Sequence, residues 1–319
     1  METLNSLIFV RKQTENSIKT QTAKIVSAFA ALYLIWGSTY MAIKFAIATL
    51  PPFLMAASRF TTAGCILYYF SRKNSSEKIV FRHWKSAFIT GGLLLLGGNG
   101  GVVYAQQFVP SGVTALLISA VPIWFVILNW ILPEGEKPTL RTILGVLVGF
   151  LGMYYLISPF EGGGENISLA GVGALMLATF LWAVGSVYSR KIDAPESKFT
   201  AAAMQMIGGG VLLLLFSVIT GDAFKFNPDG ISAKLVGAFV YLFLFGSMIS
   251  YTAYIWLLDT VGSAKTATYA YVNPIVAVFL GWLFAGEELN SRIITATVII
   301  ISSVVIISNP LRLFRKNRS

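Results

Sequence analysis

Apolar, nearly uncharged runs follow one another down this chain with only short interruptions, and that succession narrows the possible folds more than any other feature. The runs match the roughly 17–25 residues that a bilayer-spanning helix needs. Ten spans can be read, at about 24–43, 52–70, 86–107, 111–132, 141–158, 167–188, 198–220, 233–258, 262–284 and 291–308. Charged residues make up 12% of the 319, half the ~25% of soluble domains, and nothing is left over for a soluble domain. The expected fold class is all-α, a polytopic membrane protein with ten transmembrane helices.

The flanking segments give an orientation. Residues 1–23 are polar, carry Arg11, Lys12 and Lys19, and lack the apolar core and cleavage site of a secretory signal, so they read as a tail before an uncleaved anchor. Basic residues recur on the same side: Arg72 to Lys85 between the second and third spans, Lys137 and Arg141, then Arg190, Lys191 and Lys198. The tail at 309–319 adds Arg312, Arg315, Lys316 and Arg318. The opposite loops FVPSG and FEGGGENIS carry none, and 221–232 holds Lys225. Lys and Arg concentrate in cytoplasmic loops, so both termini are expected to be cytoplasmic. The net charge of +10 is then a topology signal and not a nucleic-acid surface.

The chain repeats itself. Offset by 152, the fourth and ninth spans agree at ten of 28 ungapped positions, including Ser111/Ser263, Thr114/Thr266, Pro122/Pro274, Trp130/Trp282 and Glu136/Glu288. Offset by 146, Trp36 and Lys44 fall on Trp182 and Arg190, and Arg59 falls on Gln205. The implied units are 24–158 and 167–308, five spans each. An odd number of spans inverts the second unit in the bilayer, and two inverted five-helix repeats commonly place a substrate site between them near the midplane.

Pro122 and Pro274 fall deep inside apolar spans at matching places. Each removes a backbone donor and frees a carbonyl four residues earlier, at Ile118 and at Ala270. Such a pair reads either as packing kinks re-satisfied by neighbouring helices or as interrupted helices lining a site.

Polar residues inside the spans supply the remaining candidates. All fourteen Asp and Glu residues fall in loops or at helix ends, so the intramembrane carboxylate of a proton relay is missing. Glu136 and Glu288 read as loop tethers. Arg59 lies about seven residues, roughly 10 Å, inside the second span and must face the protein interior, on backbone carbonyls or on a substrate carboxylate. Lys265 can snorkel to the interface or meet substrate; Lys44 and Arg190 read as interfacial anchors. Trp36, Trp182, Tyr251, Tyr254, Tyr269 and Tyr271 lie at depths similar to Asn99 and Asn273, as packing residues or as walls of a small-molecule cavity. One cysteine (Cys65) and one histidine (His83) allow no disulfide and no metal cluster, and no cofactor site can be read. The clusters GGLLLLGGNGG (91–101) and MIGGG (206–210) lie within spans and lack a phosphate-loop pattern. Gly145, Gly149 and Gly152 form a small-residue stripe for close helix contact, within a monomer or in a homodimer.

At YLIWGSTYMAIKF (33–45), AASRF (56–60), VPSGVTALLISAVPIW (109–124), WAVGSVYSRK (182–191) and TATYAYVNPIVAVFLGWLFAGEEL (266–289), the sequence resembles EamA-type exporters of the drug/metabolite transporter superfamily. The resemblance covers essentially the whole chain. It implies a ten-helix carrier of the bacterial inner membrane that exports amino acids, related metabolites or drugs, without naming the substrate. Intramembrane basic residues without buried acids favour a zwitterionic or anionic small molecule, amino acids foremost, moved by alternating access. The alternative is an exporter of drugs or other hydrophobic xenobiotics. An enzyme is disfavoured, because no activated nucleophile or metal motif can be named. The expected site residues are Trp36, Arg59, Asn99, Pro122, Trp182, Tyr251, Lys265, Tyr271, Asn273 and Pro274, with the lipid bilayer and a small molecule as partners.

Overall fold

The computed structural model describes residues 20–73, 75–132, 137–158 and 168–308. Of the tail read at 1–23, residues 1–19 lie outside the described residues, as do the tail at 309–319 and Glu136, while residues 20–23 already belong to the first helix. Ten long helices follow in order: α1 (Thr20–Ile47), α2 (Pro52–Arg72), α3 (Phe81–Ala105), α4 (Ser111–Ile131), α5 (Leu140–Ile157), α6 (Leu169–Tyr188), α7 (Lys198–Ile219), α8 (Ala233–Val261), α9 (Tyr269–Ala285) and α10 (Ser291–Ser308). No strand occurs among the described residues. Among the described residues seven helices have the length and hydropathy of a membrane span by themselves; α2, whose mean hydropathy Arg59 lowers, together with α9 and α10 completes the set. The chain is an all-α polytopic membrane protein.

Local chemistry sets the helix ends. Pro52 opens α2 at the position where its missing N–H costs nothing. Thr139, Ser168, Ser197 and Ser232 cap α5, α6, α7 and α8 by accepting from backbone amides three residues on. Gly286, with φ 65°, ends α9, and Gly262, with φ 84°, turns the chain between α8 and the one-turn helix Ser263–Thr266. α4 is broken at Ser119–Ala120, just before Pro122, whereas α9 runs through Pro274.

Exchanging helix i with helix i+5 reproduces the packing. α2 packs on α7, α4 on α9 and α5 on α10, each pair mapping onto itself. Contacts of α1 with α9 and α8 are mirrored by those of α6 with α4 and α3; α3 on α7 is mirrored by α8 on α2. The glycine clusters permit this closeness. A Cβ at Gly210 would lie 2.7 Å from the Thr61 amide nitrogen, and one at Gly91 would press on the Gln205 carbonyl. Gly145, Gly149 and Gly152 are buried against Ile307, Ser303 and Ile299 of α10, so the stripe is used within the chain. The opposite face of α5 exposes Leu144, Leu147, Leu151 and Tyr154, as a lipid-facing surface requires.

Candidate substrate site

Three helices depart from α geometry beside one cavity. π-helical segments run over Ala31–Trp36 in α1, Gly92–Asn99 in α3 and Leu242–Tyr251 in α8. An i→i+5 bulge re-aims the side chains that follow it, and such bulges gather at functional sites. Here each segment ends on a residue of the same cavity: Trp36, Asn99 and Tyr251. Asn99 and Tyr251 are repeat partners at the 152 offset, so the α3 and α8 segments are equivalents under the exchange.

The cavity is narrow, about 70 Å³, and lies between the repeats. Its polar wall is Arg59, Asn99, Thr39 and Thr179; its apolar wall includes Trp36, Trp182, Tyr269 and Phe60. Arg59 is 2% exposed. Its Nη2 donates to Asn99 Oδ1 at 2.6 Å, its Cζ lies 4.3 Å from the Phe60 ring centroid, and its Nε has no partner. Among the described residues no carboxylate pairs with it. A guanidinium carries five donors in a planar fork, and one neutral acceptor leaves most of that capacity open. Across the repeat, Gln205 Oε1 accepts from the Tyr251 hydroxyl at 2.9 Å. Arg59–Asn99 in α2 and α3 and Gln205–Tyr251 in α7 and α8 are thus the same pair in the two halves, charged in one and neutral in the other.

The aromatic residues form one cluster. Trp36 lies 5.5 Å from Trp182, 5.0 Å from Tyr254 and 5.4 Å from Tyr269 between ring centroids, distances of favourable edge or tilted packing. Trp36 Nε1 donates to the Gly246 carbonyl at 3.3 Å and Trp182 Nε1 to the Tyr254 hydroxyl at 2.8 Å, so both indoles are held in place.

Beyond the cavity the two membrane edges differ. At the edge holding the ends of α4 and α6, a vestibule of about 570 Å³ opens between Pro122, Phe125, Arg190, Gly262 and Ala267. At the other edge Glu287, just past α9, joins three helices. It accepts from Lys44 Nζ at 2.8 Å and from the backbone amides of Ser111 at 2.6 Å and Gly112 at 2.9 Å, at the N-terminus of α4. Burial by itself raises the Glu287 carboxyl. The Lys44 ammonium and the Gly112 and Ser111 amides outweigh it and hold the group below the ordinary 4.5.

The structure therefore brings Trp36, Arg59, Asn99, Trp182 and Tyr251 to one cavity and puts Pro122 in the vestibule. It sets Asn273 and Pro274 elsewhere. Asn273 is 2% exposed; with its amide nitrogen turned to the α1 backbone, it donates to Leu32 O at 3.0 Å and Tyr33 O at 3.1 Å. Freed by Pro274, the Ala270 carbonyl accepts from Ser119 Oγ at 3.2 Å, so a protein hydroxyl answers that proline. Lys265 sits on the one-turn helix before α9 and lines neither space. Tyr271 belongs to α9, but its side chain is outside the described set. Thr39, Tyr40 and Thr179 also line the cavity, and Glu287 makes the edge contact; none of these was an expected site residue. The only signal for Thr39 and Tyr40 is their place within the helical turn after Trp36.

A bilayer-spanning, internally duplicated helix bundle with a closed site between its halves is the architecture of a secondary carrier. The profile of the EamA-like transporter family matches the chain twice, over residues 23–158 and 169–309. Inner membrane transporter YedA of Escherichia coli K12 is 35% identical over 289 residues, covering 90% of this chain and 92% of its own. Transporter YoaV of Bacillus subtilis is 27% identical, covering 87% and 94%. The WAT1-related chloroplastic protein At3g02690 of Arabidopsis thaliana is 25% identical, covering 87% of this chain and 68% of its own. One solved protein crystal structure shares the fold, with a TM-score of 0.64 at 18% identity over 93% of this chain and 99% of the other. The chain belongs to the EamA-like transporter family. It is a multi-pass membrane transporter of the bacterial inner membrane.

Proposed function

We propose that this transporter exports small carboxylate-bearing metabolites, amino acids foremost, by alternating access around the Arg59 cavity. One observation carries the reading: Arg59 is 2% exposed, holds a single neutral acceptor and faces a cavity without an acid. Burying a cation without a counter-charge is costly, and an incoming carboxylate removes that cost while using the fork bidentately. A cationic substrate would find no such partner. Both termini are taken as cytoplasmic; the vestibule then faces the cytoplasm and the Lys44–Glu287 edge faces outward, closed.

The test is efflux from proteoliposomes preloaded with labelled amino acids, with and without an imposed pH gradient. Release of particular amino acids above empty vesicles is expected, with about a hundredfold loss in Arg59→Ala, as for a charged hydrogen bond worth ~1.5–3 kcal/mol, and partial recovery in Arg59→Lys. Unchanged flux and selectivity in folded Arg59→Ala overturns the reading. The aromatic walls then favour the second one, an exporter of hydrophobic xenobiotics.

A further inference from the structure

The Arg59–Asn99 pair has a counterpart that the transport reading leaves unused. Under the exchange of repeats, Gln205 takes the place of Arg59 and Tyr251 that of Asn99. Both are withdrawn from water, at 3% and 1% exposure. Tyr251 lines the cavity and donates its hydroxyl proton to Gln205 Oε1 at 2.9 Å. A phenol oxygen whose proton is committed elsewhere offers its remaining lone pair as an acceptor. The two arms are neighbours: Phe60 lies 4.3 Å from the Arg59 guanidinium carbon and 6.3 Å from the Tyr251 ring, centroid to centroid for the latter. Gly246, in the same π segment as Tyr251, approaches Arg59 so closely that a Cβ there would lie 3.7 Å from Nη1.

We infer that Tyr251, oriented by Gln205, is a second substrate-recognition arm, an acceptor that takes the uncharged hydrogen-bond donor at the end of the substrate opposite its carboxylate. This rests on the reading of Arg59 as the carboxylate arm. The chemistry of the two arms gives the substrate a direction. A carboxylate gains more from the donors that Arg59 leaves open beside Asn99 than from a phenol oxygen, which would repel it. A hydroxyl or amide N–H at the far end finds its acceptor in Tyr251. A methyl end leaves that oxygen buried and unpaired, which costs affinity. An ammonium end would be buried with no carboxylate among the described cavity residues to neutralise it. Tyr251 touches the substrate; Gln205 is a positioning residue acting through it.

The experiment titrates the full-length chain in detergent, reading tryptophan fluorescence from Trp36 and Trp182 beside the cavity. The probes are five-carbon acids that differ only at the far end: valerate, 5-hydroxyvalerate, 5-aminovalerate and glutarate, with valeramide as the uncharged control. Wild type should bind 5-hydroxyvalerate about tenfold tighter than valerate, the size of one buried polar group left unpaired. Tyr251→Phe, which keeps the ring, should bring that ratio to about one while valerate still outcompetes valeramide. Gln205→Glu, nearly isosteric, should keep the tyrosine bond, place a negative charge behind it and make 5-aminovalerate the tightest ligand. Thermal unfolding of each variant checks that it is folded. If Arg59→Ala abolishes the preference for valerate over valeramide but neither Tyr251→Phe nor Gln205→Glu moves the far-end order, the second arm is refuted and the carboxylate arm stands. If Arg59→Ala leaves the valerate preference intact, the transport reading fails and this inference with it.

Discussion

Glu287 is the residue whose removal should change the transporter's resting state most. Its carboxylate caps α4 through two amides and pairs with Lys44 of α1, so one side chain from α9 ties three helices at one edge. Replacing an N-terminal cap by alanine costs ~1 kcal/mol, and losing a carboxylate from a helix N-terminus adds ~0.3–1 kcal/mol. The Lys44 side chain is 36% exposed, so its ammonium is screened and can rehydrate; that pair is worth only ~0.2–1 kcal/mol. Glu287→Ala should therefore weaken closure of this edge by about 2 kcal/mol, a shift of roughly 30-fold, since ~1.4 kcal/mol is tenfold. Glu287→Gln keeps one acceptor and should give about a third of the free-energy effect.

A cysteine at Thr39, which lines the cavity, reports that opening. The background is Cys65→Ser, because the sole cysteine is exposed. An impermeant methanethiosulfonate applied from the Lys44 side should label Thr39→Cys slowly, and about 30-fold faster with Glu287→Ala added. Equal rates in folded protein would show that something other than Glu287 keeps this edge shut.

Glu287 also predicts the acid response. Its folded value lies below the ordinary 4.5, so the closure it supplies is complete above the ordinary carboxylate range and lost as pH falls through the lowered value. Labelling rates, divided at each pH by the thiolate fraction of the introduced cysteine, should rise at acid pH in the parent and stay flat in Glu287→Gln. Ser119→Ala leaves the Ala270 carbonyl without its hydroxyl partner and should lower stability by ~1–3 kcal/mol, read as a drop in unfolding temperature. Gly91→Ala forces a methyl onto the Gln205 carbonyl and the Gly209 backbone; at ~1–3 kcal/mol for overpacking, it should reduce folded yield more than Gly173→Ala, which meets open space.

Most of the fold could be read from the sequence, because the bilayer permits so few answers: length, apolarity and the count of spans determine an all-helical bundle. The site was only partly legible. Depth along a span is readable from residue count: it puts Trp36, Trp182 and Tyr251 near Asn99, and these four line one cavity with Arg59. Azimuth is less readable, because a π segment adds a residue to the turn and rotates everything after it. Nothing in ALYLIW, GLLLLGGN or LFLFGSMISY announces such a segment. The prolines carry a different lesson. They mark equivalent places in the two halves, but Ser119 satisfies the Ala270 carbonyl, and serine is not the residue at the equivalent place in α9, where Tyr271 stands.

The repeat itself both revealed and concealed. Its alignment drew attention to Glu136 and Glu288 because they match, whereas the edge contact uses Glu287, whose counterpart at that offset is Gly135. Residues that obey the repeat serve what the halves share, namely helix packing. Residues that break it make the two halves differ: Glu287 pairs with Lys44 at one edge, and Arg59 has a neutral Gln205 as its counterpart. In a two-fold carrier a perfectly symmetric site would bind a symmetric molecule equally in both orientations. Specificity for a molecule with two different ends therefore has to be sought where the two halves of the sequence disagree.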